Sequence, residues 1–374
     1  MAATQTRKDP QQTQPAAPQE PPRTDYSNPL ERNAPIGTIA GQYKPMPAAE
    51  GNEAIAAALE GFIEETESFG ILVWHAGRLV HEAYADGFDA SIRGESASMA
   101  KSALALAVGA ALTDGAIASV EEPVSTYVIE WKGQPRGDIK IKHLLEMSSG
   151  LKPLSFEGGQ QSDLVQFLTN GPRARDIVLS MTPAHPPGTV FHYQNAVSQL
   201  LGLIVERATG ETYDAYVSRR LWKPLGADDA YVWYNEEEGF PRTYMGLYAR
   251  PRDWLRLGFL IKDFGAFDGV QILPRSFIEA MTAPSPANPN YGWQIWRGAT
   301  FQSKRFYNDA KLGFSATASE PFAVDDMLYF DGFGGQRVYV SRSQDLIVVR
   351  LGQIRSDWDD TDLPNRVIKA LGAG

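Results

Sequence analysis

The sequence predicts an α+β fold of the sandwich type, an antiparallel sheet flanked by helices with a mostly helical lobe inserted between its strands. Three observations carry this expectation. β-rich runs stand near both ends of the folded region: ILVWHAGRLVHEAYADG at 71–87, and YGWQIW, DMLYF, QRVYV and DLIVVRLG after residue 290. Between them the apolar period is helical. The late runs are short, aromatic and joined by polar turns such as SRSQD (341–345), the pattern of an antiparallel meander. Strands so far apart in sequence would share one sheet and leave the helical middle as a lobe.

The elements follow in order. The first 47 residues hold nine of the 25 prolines and the polar stretch QTRKDPQQTQPAAPQEPPRT, so 1–47 reads as a Pro/Gln-rich disordered arm. It carries no apolar signal-peptide core. An arm of this kind often follows an export signal, which favours a periplasmic or secreted location over a cytoplasmic one. The sheet domain is expected at 48–95 and 285–374, and the lobe at 96–284. Within 52–69, Ile55, Leu59, Phe62 and Ile63 share a helical face. The run 71–87 reads as a hairpin turning at His75-Ala76-Gly77. Segment 98–114 is apolar almost all the way round, which marks a central helix. A short helix at 138–147 stops at Gly150. One at 195–208, with Val197, Leu200, Leu201, Ile204 and Val205 on one face, ends at Thr209-Gly210. Further helices are expected at 212–222, stopped by Pro224, at 250–264, and at 363–371 with Pro364 in the first turn.

Composition narrows the function. At 374 residues the chain supports one large domain or two interleaved ones. Its net charge of −10, with no basic run, argues against a nucleic-acid partner. Having no cysteine excludes disulfides, thiol nucleophiles and thiolate metal sites. No apolar run approaches the roughly 18–20 residues of a membrane span. The five histidines (His75, His81, His143, His185 and His192) are scattered, and His81-Glu82 lacks a second histidine at zincin spacing. No metal or other cofactor is expected. G-x-S-x-G, Walker and dinucleotide patterns are missing. The expected partner is a small molecule, with the oligomeric state left open.

What remains is S-x-x-K. A chain of this length shows about one by chance, and this one shows two, Ser98/Lys101 and Ser149/Lys152. Gly150 would stop a helix between the second pair. Ser98 instead stands where the apolar helix should begin, as an N-cap, so that Ser98 and Lys101 lie on one face. The helix N-terminus would offer N–H groups to an oxyanion. A free lysine, with a pKa of about 10.4, is a poor base, and bringing it near 7 takes about 4 kcal/mol, within what burial supplies. Tyr193-Gln194-Asn195 opens the helix at 195–208; taken alone, the tyrosine is a core residue and the asparagine a cap. Beside a lysine ammonium, Tyr193 would have its pKa lowered towards a phenolate base, and the two titrations would be coupled. Glycines crowded in FDGFGGQRVYV (330–340) allow a substrate close to a strand edge, or mark a bulge or turn.

Taken together and in order, SMAKS (98–102), HLLEMSSGL (143–151), YQN (193–195), GLYARPRDWLRLG (246–258) and DGFGGQ (331–336) resemble the serine β-lactamase and penicillin-binding-protein-like hydrolases. The resemblance is to the branch with class C β-lactamases, serine esterases and 6-aminohexanoate-dimer hydrolases, and covers roughly 52–372. It implies a site between sheet and lobe and a covalent acyl-enzyme on Ser98. Lys101 would be the proton partner, and Tyr193 the base for acylation and the acid for the leaving group. Asn195 would orient Lys101 and the substrate. The oxyanion would meet the N–H of Ser98 and one after Gly332, that of Phe333, with Gly334 beside it. One station departs from the family. Where its β-lactamases and peptidases carry Lys-Thr-Gly, or His for Lys, this chain has Phe330-Asp331-Gly332 or Phe333-Gly334-Gly335. Neither offers a cation, Asp331 would repel a carboxylate, and Arg337 compensates only if the alternating strand turns it that way. An ester or uncharged amide with an apolar acyl part fits better, near Phe330, Phe333, Trp293 and Trp296. The alternatives are a weak class C-type β-lactamase, a D-amino-acid peptidase, or a non-catalytic binding member of the same fold.

Overall fold

The computed structural model describes residues 32–36, 44–169, 173–235, 240–309, 311 and 315–372. Six strands make the main sheet: β1 (Ser68–His75), β2 (Arg78–Tyr84), β3 (Trp296–Arg297), β4 (Leu328–Gly332), β5 (Gln336–Ser341) and β6 (Leu346–Gly352). Their order is β3-β4-β5-β6-β1-β2, antiparallel throughout. Strands from the two ends of the sequence thus meet at the β6–β1 pairing, where Val348 faces Val73. The β1–β2 turn has Ala76 and Gly77 at φ +47° and +85°, the two-residue turn whose twist suits a hairpin.

Why β6 reads as an unbroken apolar run, LIVVRLG, follows from its place: every residue is buried, because helices cover both faces. Four helices matter most: α1 (Ala100–Thr113), α2 (Asn195–Thr209), α3 (Pro251–Lys262) and α4 (Asp362–Gly372). α3 lies across β5, β6 and β1. Its Gly258 permits that contact, since a Cβ there would sit 2.9 Å from Ile347 Cγ2. α4 packs beside the helix Glu53–Ala58. α1 is buried from Ala100 to Ala111 and packs against α2.

Several expectations needed revision. The segment 52–69 is two short helices, Glu53–Ala58 and Phe62–Glu65, broken at Gly61 with φ +73°. The helix expected at 212–222 continues to Leu225, because a wider π turn at Ser218–Trp222 leaves room for the Pro224 ring. Helices at Asp163–Leu168, Ala174–Ser180 and Arg275–Thr282 were not foreseen. Most of the arm expected at 1–47 lies outside the described residues. Residues Arg32–Ile36 do not: they form an edge strand against Ala230–Asn235. Pairing uses backbone groups that composition does not reveal, and an edge tolerates Pro35. The same second sheet continues through Leu247–Ala249 to Gly94–Glu95, which delivers the chain to Ser98.

Candidate active site

Gly94–Glu95 ends against Tyr248 and Ala249, and Ser96 N–H bonds to Leu247 O at 3.1 Å. The chain then turns sharply. Ala97 has φ +46°, a left-handed conformation that costs a non-glycine residue about 1–3 kcal/mol. Its N–H is held at 2.8 Å by Glu95 Oε2, while Glu95 Oε1 accepts the N–H of Gly246, also at 2.8 Å. Glu95 is buried, and burial raises its pKa against those two bonds. This carboxylate ties the turn before Ser98 to the strand entering from the lobe, and the sequence analysis missed it. Its signal would have been a lone acid three residues before the serine.

Ser98 is not the N-cap that was expected. It sits inside the 3-10 turn Ala97–Met99 that runs into α1, and its side chain makes no cap bond. Glu95 serves the first N–H of that turn, which frees the hydroxyl for Lys101. One helical step on, Lys101 Nζ lies 2.8 Å from Ser98 Oγ, 2.8 Å from Asn195 Oδ1 and 2.9 Å from Tyr244 O. Lys101 is 1% exposed. Burial brings its pKa down to about 7, with the Asp331 and Glu95 carboxylates pulling the other way. The three acceptors meet all three ammonium hydrogens, so the amine is held in one direction whether charged or neutral. Tyr244 O was not foreseen, because a backbone acceptor leaves no trace in residue type.

Asn195 is the first residue of α2, and its side chain turns to Lys101 instead of capping the helix. Tyr193 stands beside Ser98, whose side chain acts on its titration, and Lys101 Nζ lies 4.9 Å from its ring centroid. Trp296, Tyr291 and Tyr307 box the ring at 5.8, 6.1 and 5.2 Å between centroids. The expected phenolate is corrected here. Burial, with the negative field of Asp331, holds the Tyr193 pKa well above its ordinary value, and the Ser98 side chain opposes this only in part. Tyr193 is a phenol at neutral pH.

Gly332, Phe333 and Gly334 form the end of β4 and its turn into β5. Gly332 comes so close to the serine turn that a Cβ would stand 2.4 Å from Ser96 O. Phe333 is 42% exposed. Gly334 has φ +72° and is pressed against Ile354. Of the aromatic residues expected at an acyl pocket, Phe330 is fully buried in the sheet core and does not line the cleft. Trp296 packs on Tyr193, and Trp293 is half-buried beside Glu146. The repelling acid expected at Asp331 is also corrected, and the direction left open for Arg337 is inward. Asp331 is paired with Arg305 and Arg337, and both arginines reach Asp360. Burial pushes Asp331 up, but the two guanidiniums outweigh it and hold the carboxyl below its usual range. Neither charge projects from the strand to meet a substrate carboxylate.

The second pair separates. Ser149 is buried and accepts the N–H of Leu151 at 3.3 Å, Gly150 turns the chain at φ +74°, and Lys152 is exposed. Among the described residues no group of three or more His, Asp or Glu could hold a metal, and no helix is long and apolar enough to cross a membrane.

A helix-covered antiparallel sheet, with a helical lobe closing over a half-buried serine, its buried lysine partner and a tyrosine, is the architecture of the serine β-lactamase-like proteins. The family model named Beta-lactamase matches residues 55–372, and the chain belongs to that family. It is 25% identical over 325 residues to the 6-aminohexanoate-dimer hydrolase of Paenarthrobacter ureafaciens, covering 81% of this chain and 76% of that one. It is 30% identical over 211 residues to esterase EstB of Burkholderia gladioli, covering 52% and 53%. The β-lactamase/D-alanine carboxypeptidase of Pseudomonas syringae shares the fold, with a TM-score of 0.60 and 17% identity over 86% of this chain and 98% of that one. The protein is an enzyme of a hydrolase family.

Proposed function

We propose that the protein is a serine hydrolase that cleaves carboxylic esters, and uncharged amides more slowly, through an acyl-enzyme on Ser98. The 2.8 Å contact between Ser98 Oγ and Lys101 Nζ carries this reading, because burial gives that amine a pKa of about 7. Neutral Lys101 accepts the Ser98 proton as Oγ bonds to the substrate carbonyl carbon. Negative charge moves onto the carbonyl oxygen, where the N–H groups of Ser98 and Phe333 receive it. As the bond to the leaving group breaks, Tyr193 donates its phenolic proton to that group and regains one from the Lys101 ammonium. Water repeats the sequence against the acyl group: its proton passes to the Tyr193–Lys101 pair, and Ser98 Oγ recovers a proton as the acid departs. Ester and water become acid and alcohol, with no net proton gained by the protein.

The names of EstB and of the 6-aminohexanoate-dimer hydrolase favour esters and amides over β-lactams. So does the occupation of Arg337 and Asp331 by each other, which leaves this strand no cation for a substrate carboxylate. The family match and the carboxypeptidase-named neighbour favour a second reading, a weak β-lactamase or D-amino-acid peptidase. One experiment separates them: p-nitrophenyl esters, nitrocefin and a fluorophosphonate probe, applied to wild type, Ser98→Ala and Ser149→Ala. Ester turnover and labelling should vanish with Ser98→Ala and survive Ser149→Ala, with nitrocefin far slower than the esters. A wild type inert to all three overturns the hydrolase reading, and nitrocefin outpacing the esters selects the second.

A further inference from the structure

Four buried charges close a ring beneath the end of β4. Arg305 Nη1 lies 3.0 Å from Asp331 Oδ2, and Arg305 Nη2 lies 2.8 Å from Asp360 Oδ2. Arg337 Nη1 lies 2.7 Å from Asp331 Oδ1, and Arg337 Nη2 lies 2.5 Å from Asp360 Oδ1. All four side chains are between 2% and 7% exposed. Such a ring is weak evidence for stability, since removing ions from water costs several kcal/mol each and apolar residues of like volume often do as well. Its position suggests another use. Arg337 Nη1 directs its two hydrogens to backbone carbonyls, those of Gly332 and Gln336, and only faces Asp331 by charge.

Gly332 O is the carbonyl of the Gly332–Phe333 peptide. Among the described residues no peptide bond is cis, so the Phe333 N–H points opposite to that carbonyl. Gly332 O faces Arg337 and the β5 side, where Gly335 N–H also reaches it at 3.3 Å. Phe333 N–H therefore faces the other edge of β4, where Gly332 abuts Ser96 O in the turn that carries Ser98. A flanking Phe-Gly-Gly turn, with Gly334 and Gly335 at φ +72° and +95°, has little intrinsic preference for one peptide orientation. Arg350, itself buried, holds the next accessible carbonyl, Gly334 O, at 3.2 Å, and Arg355 N–H holds it at 3.0 Å. The loop is thus fixed by its carbonyls from below, and the Gly332–Phe333 peptide turns its N–H to the opposite side.

We infer that Arg337, braced by Asp331, Asp360 and Arg305, is a positioning residue that fixes the Gly332–Phe333 peptide with its N–H towards the oxyanion formed at Ser98. A guanidinium on a carbonyl also polarises the amide, which strengthens the N–H as a donor. The ring extends to the acid–base pair: Tyr307 donates to Asp331 Oδ2 at 3.0 Å, and its own carbonyl accepts Tyr193 N–H at 2.8 Å. One buried network sets the oxyanion donor and the tyrosine in a fixed relation. This inference rests on the proposed acyl-enzyme chemistry.

The test compares wild type with Arg337→Met, Arg337→Lys and Asp360→Asn, using p-nitrophenyl butyrate hydrolysis and inhibition by phenylboronic acid. Boron accepts the Ser98 oxygen and forms a tetrahedral adduct with an oxygen in the oxyanion position, so its affinity reports that site. Loss of one oxyanion donor lowers kcat by about 10²–10³. Arg337→Met is expected to lower kcat about 100-fold with KM within threefold, and to weaken the boronate by a similar factor. Arg337→Lys, which can still reach Gly332 O, should recover part of both, and Asp360→Asn should lose a smaller part of both. A folded Arg337→Met with wild-type kcat, or with lowered kcat and unchanged boronate affinity, overturns the inference. If Arg337→Met does not fold, Asp360→Asn decides: it leaves Gly332 untouched, so parallel loss of kcat and boronate affinity supports the inference, and no loss or an uneven one overturns it. A wild type that hydrolyses no ester and binds no boronate overturns the proposed function, and this inference with it; an active wild type matched by its Arg337 variants overturns the inference alone.

Discussion

Ser98/Lys101 and Ser149/Lys152 are the same four-residue pattern about fifty residues apart, and the fold treats them oppositely. The first pair lies in one continuous helical path, with the lysine buried between a hydroxyl, an amide oxygen and a carbonyl. In the second, a left-handed glycine turns the chain, the serine bonds to its own loop, and the lysine faces water. Spacing supplies neighbours; burial and the second and third acceptors, Asn195 Oδ1 and Tyr244 O, supply chemistry.

The largest expected break in this comparison is at the nucleophile. Ser98→Ala should lower kcat for p-nitrophenyl butyrate by about 10⁴-fold or more, while Ser149→Ala stays within threefold. Equal effects would remove the distinction. Next comes the amine: Lys101→Met should lose about 10²–10⁴-fold, and Lys152→Met nothing measurable in the same assay. Tyr193→Phe removes the phenolic proton and should cost about 10²-fold or more, with a steeper loss for anilides than for p-nitrophenyl esters, whose leaving group needs little protonation. Parallel loss on both substrates would take Tyr193 out of the acid role.

Two smaller effects sharpen the account of Lys101. The acid limb of kcat/KM should fall near pH 7, because Lys101 must be neutral to accept the Ser98 proton. Glu95→Gln removes a charge that raises the Lys101 pKa, so that limb should move to lower pH. A limb that stays in place would show that another group sets it. Stability follows the same titration. Between pH 7 and about 10.4 the unfolded chain holds a proton on Lys101 that the folded chain has released, so stability contributed by this group rises with pH across that window and is flat below it. Denaturant titrations at pH 7 and 10 should show the rise shrinking in Lys101→Met.

Much of the main sheet was legible, for a plain reason. Strands such as DLIVVRLG are long, apolar and bounded by turns, so period and punctuation agree. The second sheet was not, because Arg32–Ile36, Gly94–Glu95 and Leu247–Ala249 are too short or too polar to show a period. That gap hid Glu95, whose role depends on holding both Ala97 and Gly246, the latter 151 residues further along the chain. The phenolate expected at Tyr193 failed for a related reason. A lysine beside it lowers the pKa only if charged and unscreened, whereas the buried Asp331 and the aromatic box act on the tyrosine whatever the lysine does.

By itself, the sequence determined an α+β sandwich, a buried helix behind Ser98, and the chain order of Ser98, Lys101, Tyr193, Asn195 and Gly332. Local period and residue type suffice for these, since a helix places i and i+3 on one face wherever it lies. Only the tertiary structure decided which lysine is buried, which carbonyl and carboxylate hold it, and that Arg337 turns inward to Gly332 and Asp360 and not outward to a ligand. Those outcomes depend on desolvation and on fields from residues far apart in the chain. Both are set by packing, and neither is written in local sequence.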